Sequence, residues 1–205
     1  MRRAASLRRV MNFAGVAAGL LAGTAVAGNA YDYCVLCHGA NANGNYGIRA
    51  PKISGVEPWY LTRQLQNFAS GARGMEMGDA SGHEMMPVGQ RLQTAGEIEA
   101  AVNFVSGLES KKPPRTIAGD IKAGKALYAS CAACHGAKGE GNATLQAPAL
   151  AARSDWYLVT QLGNFRNGLR GADARDTYGA QMRAVAATLP DDKAISDVVA
   201  YIDTL

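Results

Sequence analysis

The sequence predicts an all-α protein of two tandem, similar domains. Three observations carry this: an internal repeat at one constant offset, helical spacing of apolar residues in the longer segments, and no sustained two-residue alternation. The repeat is the strongest of the three. Cys131 follows Cys34 by 97 residues, and His135 follows His38 by the same 97. At that shift Ala50-Pro51 falls on Ala147-Pro148, Trp59-Tyr60-Leu61 on Trp156-Tyr157-Leu158, and Gln64-Leu65 on Gln161-Leu162. Asn67-Phe68, Arg73-Gly74 and Met85 likewise meet Asn164-Phe165, Arg170-Gly171 and Met182 without a gap. Agreement of this kind means two copies of one domain.

The chain begins with Arg2, Arg3, Arg8 and Arg9, then an apolar run from Val10 to Ala27 that closes on Ala25-Val26-Ala27. Basic residues, an apolar stretch and a small-x-small end are the marks of an export signal. Residues 1–27 are therefore expected to be a signal peptide, with a retained membrane anchor as the alternative. Domain one is expected over 28–109, a linker over 110–116, and domain two over 117–205. Lys111-Lys112-Pro113-Pro114 is charged and unable to continue a helix, which places the linker.

Helices are expected over 117–130, with Asp120 as a cap, and over Trp59 to Phe68 and Trp156 to Phe165, where apolar groups recur every three to four residues. Ala95 to Leu108 and Asp191 to Ile202 read as the closing helices. Cleavage after Ala27 leaves only 28–33 before Cys34, so domain one has either a stub packed by Tyr31 and Tyr33 or a retained apolar segment running into its first helix.

Charge narrows the function. Beyond residue 27 the chain holds 17 basic and 17 acidic residues, so the basic isoelectric point reflects the N-terminal segment and gives no support for nucleic-acid binding. Residues 28–109 sum to −3 and 110–205 to +3. Such an asymmetry would orient encounters with charged partners; the plainer reading is solubility.

Four cysteines in an exported chain ordinarily suggest two disulfides. Here they stand as Cys34-Val35-Leu36-Cys37-His38 and Cys131-Ala132-Ala133-Cys134-His135. C-x-x-C-H is the attachment signature of c-type haem: two thiols add to the porphyrin vinyl groups, and the next histidine brings an imidazole beneath the iron. A thioredoxin-like motif would need no histidine, and a zinc site would need paired downstream histidines. Two covalently bound haem c groups are therefore expected, on Cys34 and Cys37 and on Cys131 and Cys134, with His38 and His135 as axial ligands.

The repeat also chooses the second axial ligands. Domain two offers only Met182 after its haem motif, and the offset pairs Met182 with Met85. Each methionine then follows its histidine by 47 residues. Met75, Met77 and Met86 are assigned to packing. His83 is a rival ligand in domain one, but its counterpart is Ala180.

These motifs, the Trp-Tyr-Leu-x-x-Gln-Leu-x-Asn-Phe run, Gly-x-Arg-Gly and a methionine before a final helix resemble the dihaem cytochrome c4 family of class I cytochromes c, over nearly all of 31–205. The resemblance implies two class I cytochrome c domains related by a pseudo-twofold axis. It implies a periplasmic electron carrier between a quinol-oxidising complex and a terminal oxidase or similar acceptor. By position, the Pro51 and Pro148 carbonyls would orient His38 and His135. Trp59, Trp156, Arg73 and Arg170 either partner haem propionates or serve as core and solvated surface; the repeated tyrosines and asparagines are left to packing.

Three function classes follow, in this order: an electron carrier without bond-making chemistry, a fixed haem subunit of a larger membrane complex, and a dihaem peroxidase-type enzyme. Methionine opposite both histidines argues against the last, so no enzymatic role is expected.

Overall fold

A computed structural model describes residues 31–205. Both readings of segment 1–27 lie outside the described residues. Within them the chain is helical, with no strand beyond two isolated bridges, Asn45 to Ala50 and Asn142 to Ala147, themselves one repeat apart. Domain one holds α1 (Tyr33–His38), α2 (Pro58–Ser70), α3 (Ala80–Arg91) and α4 (Ala95–Ser106). Domain two holds α5 (Ile121–His135), α6 (Asp155–Arg166), α7 (Thr177–Ala186) and α8 (Asp192–Ile202). No helix among the described residues is long and apolar enough to cross a membrane.

Local chemistry explains where these helices begin. The Asp120 carboxylate accepts from the Lys122 and Ala123 amides, and Asp191 accepts from Ala194. Thr94 and Glu97 form a reciprocal capping box at α4. Helices α3 and α7, which carry the two methionines, are absent from the sequence expectation. Their glycines and Pro87 read as loop, but Asp79 and Asp176 cap them by accepting from Gly82 and Gly179. A side chain at either glycine would strike the capping carboxylate, so glycine is required in this first turn.

In domain two α5 lies against α8 so closely that a Cβ on Gly124 would collide with the Asp197 carbonyl. Ile195, Val198, Val199 and Ile202 form the buried face of α8, joined by Tyr128 and Leu189. Each such burial is worth about 1.5–3 kcal/mol. Among the described residues, domain one has the six residues of α1 in the corresponding place. There Tyr31 packs against Leu92, Ile98, Ala101 and Val102, and the Arg91 guanidinium covers the Tyr33 ring at 4.8 Å.

The segment between the domains is tied down along its length. Lys111 N donates to Asn43 Oδ1 (2.8 Å), and Ser110 Oγ to the Ser54 carbonyl (3.3 Å). Arg115 pairs with Asp203 at 2.7 Å. The buried Asp155 carboxylate accepts from Thr116 N (2.5 Å), Thr116 Oγ1 (2.7 Å) and Ile117 N (2.7 Å). It also accepts from Trp156 N at 2.7 Å.

Further bonds clamp the domains face to face. Glu57 takes Arg153 at 3.1 Å and the Ala149 amide at 2.6 Å. Arg63 reaches Gln146 at 2.9 Å, and Asn164 Nδ2 donates to Asp79 at 3.0 Å.

Candidate haem sites

Each histidine closes its helix, and the following Gly39 or Gly136 turns the chain away at φ 82°. His38 Nδ1 meets the Pro51 carbonyl at 2.6 Å, and His135 Nδ1 meets the Pro148 carbonyl at 2.7 Å. A carbonyl only accepts, so the proton sits on Nδ1 and the Nε2 lone pair is left to coordinate. Burial pushes both imidazole pKa values down against the help of the proline carbonyls, which keeps the rings neutral.

Cys34 and Cys131, half-buried, stand one turn before each histidine, and Cys37 and Cys134, exposed, stand directly before it; none is in a disulfide. Burial raises the Cys34 and Cys131 thiols, the opposite of an activated redox-enzyme thiolate.

All four cysteines, His38, His135, Met85 and Met182 line a single continuous cavity of about 800 Å³. Met182 Sδ lies 3.5 Å from His135 Nε2, so α5 and α7 aim their donors at one point. Among the other methionines, Met86 is buried in the core, while Met75 and Met77 are exposed; none lines the cavity. The exposed His83 turns its Nδ1 to the Gly74 carbonyl at 3.3 Å and also stands off the cavity.

Sequence reasoning paired the two tryptophans, but the structure separates them. Trp156 lines the cavity and is buried, with the Tyr46 ring packed edge-on at 5.6 Å. Trp59 is half-buried under Arg63 and does not reach the cavity. Position 143, the counterpart of Tyr46, is an alanine with no ring to offer.

Arg73 and Arg170 are buried, at 6% and 5% exposure, which removes the reading of solvated arginines. Each stacks on the phenylalanine of its own domain, Phe68 or Phe165, at 4.5 Å. Arg73 donates to Gln64 (2.9 Å), Gln161 (3.0 Å) and Tyr157 OH (3.1 Å). Arg170 mirrors it, donating to Gln161 (2.8 Å), Gln64 (2.8 Å) and Tyr60 OH (2.9 Å). The two tyrosines thus hydrogen-bond across the domain boundary rather than merely pack. Burial alone would raise the Tyr157 hydroxyl, but the neighbouring Arg73 and Arg170 charges hold its pKa below the ordinary value.

Sequence reasoning matched Gln64 with Gln161 but gave them no role, and passed over Asp79 and Asp176, which the same offset pairs. A polar residue repeated within a helix that otherwise buries apolar groups was the available signal.

The donor set fits a haem in each domain. Two thiols, a neutral imidazole and a thioether face one cavity, and the Nε–H groups of Arg73 and Arg170 are buried without an acceptor. A buried guanidinium N–H needs an anion or carbonyl, and a propionate supplies one.

Comparison with known proteins agrees with this geometry. The cytochrome c family model matches twice, over residues 23–109 and 121–205. The chain is 30% identical to cytochrome c4 of Azotobacter vinelandii over 183 residues, 84% of each chain. It superposes with a TM-score of 0.67 on cytochrome c4 of Acidithiobacillus ferrooxidans, at 27% identity, covering 84% of this chain and 98% of that one. It superposes equally well, at 0.67 and 30% identity, on a thiosulfate dehydrogenase (TsdBA) of Marichromatium purpuratum, covering 83% of this chain and 36% of that one.

The last comparison corrects one expectation. Methionine at both distal positions was read as excluding any enzymatic role, yet a unit of this kind makes up about a third of a thiosulfate dehydrogenase chain. The inference failed because a methionine opposite a histidine bears only on chemistry at the iron between them, not on whether the unit belongs to an enzyme.

Two tandem cytochrome c domains, alike over four-fifths of the chain to cytochrome c4 in sequence and in structure, place this protein in the dihaem cytochrome c4 family.

Proposed function

We propose that the protein carries electrons in the periplasm between a quinol-oxidising complex and a terminal oxidase or similar acceptor. In this reading Cys34, Cys37, Cys131 and Cys134 bind the haems covalently, with His38 and Met85, and His135 and Met182, as axial pairs. The observation that carries it is the single cavity bearing both donor sets, each with a neutral histidine held by a proline carbonyl. A haem bound there supplies a one-electron couple between ferric and ferrous iron.

The residues supply the rest. Thioether donors favour the ferrous state, and the apolar cavity walls disfavour the extra charge of the ferric state; both raise the potential. Helices α2 and α6 bring the two halves together, so electrons entering one domain have a short path to the other. Asp79 and Asp176 hold the methionine helices at fixed starts.

A second reading rests on the thiosulfate dehydrogenase likeness: the chain serves as the electron-accepting partner of a specific oxidoreductase. Intact mass and pyridine haemochrome analysis of the protein from an exporting host test the common ground, with two haems per chain expected. Stopped-flow reduction then separates the readings. Rapid reduction by a quinol-oxidising complex supports the first; reduction only by a substrate-oxidising dehydrogenase supports the second. A chain with no haem overturns both.

A further inference from the structure

The four side chains at the centre of the domain boundary form a closed ring. Gln64 Oε1 accepts from Arg73 (2.9 Å) and Arg170 (2.8 Å), and Gln161 Oε1 accepts from Arg170 (2.8 Å) and Arg73 (3.0 Å). Two of these four bonds cross between domains, and Tyr157 and Tyr60 add two more crossings. The ring lies on the wall of the shared cavity.

Its bonding partners are uncharged. Among the described residues neither guanidinium makes an ion pair; amides and phenols orient the two positive charges and leave each Nε–H for a propionate. The buried acids on the same cavity wall, Asp79 and Asp176, accept from the amides of Gly82 and Gly179 and, for Asp79, from Asn164; they keep their charge and offset part of the arginines' field, so each arginine's share is read from its own substitution. In a buried setting a charge acts over a longer range than in water, because the effective dielectric is low.

We propose that Arg73 and Arg170 are shared charges, each setting the reduction potential of both haems rather than that of its own domain alone. This rests on the haem placement proposed above. A positive charge near an iron disfavours the ferric state, which carries the extra positive charge, and so raises the potential. Arg73 belongs to domain one by sequence, but two of its three hydrogen bonds go to Gln161 and Tyr157 on α6 of domain two. Arg170 has the mirror placement on α2 through Gln64 and Tyr60. Each cation is therefore held by both halves of the cavity, and its field is expected to reach the opposite iron as well as its own. These are positioning residues: they touch no iron and act through the field they hold in place.

The test uses the full-length holoprotein with two haems verified per chain. Spectroelectrochemical titration yields the two midpoints, and the shifted haem methyl resonances assign each to its domain. Arg73→Gln removes the charge and keeps a hydrogen-bonding side chain; it is expected to lower both midpoints. Arg73→Lys keeps the charge without the fork and is expected to recover most of both shifts.

A shift confined to the domain-one haem overturns the proposal, as does no shift at all. Equal shifts in R73Q and R73K overturn it too, since they would report loosened geometry rather than lost charge. If R73Q does not load both haems, Arg170→Gln and Arg170→Lys provide the mirror test, with the same outcomes and the domains exchanged. Absence of haem from the wild-type chain would instead remove the underlying function, which separates the two failures.

Discussion

Replacing Asp155 with asparagine tests how firmly the chain between the domains is held. The carboxylate accepts four hydrogen bonds, three of them from Thr116 and Ile117. Hydrogen bonds to a charged group contribute about 1.5–3 kcal/mol each. Asparagine keeps one acceptor oxygen and turns its NH2 toward backbone donors, so one to two of the bonds are lost. A carboxylate in the first turn of α6 also favours the helix, by about 0.3–1 kcal/mol. With a single bond lost the expected loss is about 2–4 kcal/mol, and a second lost bond would add to it.

With a urea dependence of about 2 kcal/mol per M, the unfolding midpoint of D155N falls by about 1–2 M. Burial pushes the Asp155 pKa up, but the bonds from Thr116, Ile117 and Trp156 outweigh it and hold the group below its usual value. The stabilisation is therefore complete above the unfolded pKa near ~4 and fades as pH falls through the lower folded value. Wild type loses its margin over D155N in that acid window. Hydrogen exchange at the Thr116 and Ile117 amides gives the local measure and should accelerate in D155N. A variant within about 0.5 kcal/mol of wild type at pH 7, with unchanged exchange at those amides, would refute the reasoning.

Three further outcomes follow from the same structure. Gly124→Ala drives a methyl group into the Asp197 carbonyl and should cost about 1–3 kcal/mol by overpacking, read as a lower thermal midpoint, whereas the control Gly163→Ala, inside α6 and meeting nothing, should hold or raise the midpoint. Burial and the nearby Arg153 push the Lys52 pKa down to about 8, so the folded state binds fewer protons than the unfolded one between that value and the ordinary lysine range. Stability therefore rises with pH across that window, and Lys52→Met should remove this slope in pH-dependent urea melts. Met85→Ala and Met182→Ala should each make one ferrous haem bind carbon monoxide, while Met86→Leu leaves the visible spectrum unchanged.

Sequence and structure agree where the chemistry is local, and part where it depends on the other domain. The C-x-x-C-H motifs needed only adjacency, and the methionine offset needed only the repeat. Helices α3 and α7 were hidden by their own glycines, since the need for Gly82 and Gly179 appears only once the aspartate cap is in place. The arginine–glutamine ring was hidden for another reason. Gln64 and Arg73 look like an unremarkable pair two turns apart, and nothing in the order of residues says that Gln64 also receives Arg170, 106 positions away. Tyr46 over Trp156 shows the limit of the repeat itself, because a one-sided substitution changes the partner domain rather than its own.

The ring has the form of an isologous contact: each half offers the other the same arginine, glutamine and tyrosine. Two identical single-domain chains could close it equally well, and would then come apart on dilution. Joined through a tether held by Asp155 and Asp203, the halves meet at an effective concentration that dilution does not alter. The covalent join also frees the halves from identity. Arg63 stands opposite Thr160 in the repeat, Lys52 opposite Ala149 and Glu57 opposite Ser154, and in each pair the charged member reaches across the boundary. Such one-sided contacts make an exchange of the two halves unfavourable, so the molecule has two distinguishable ends where a symmetric dimer would have one kind.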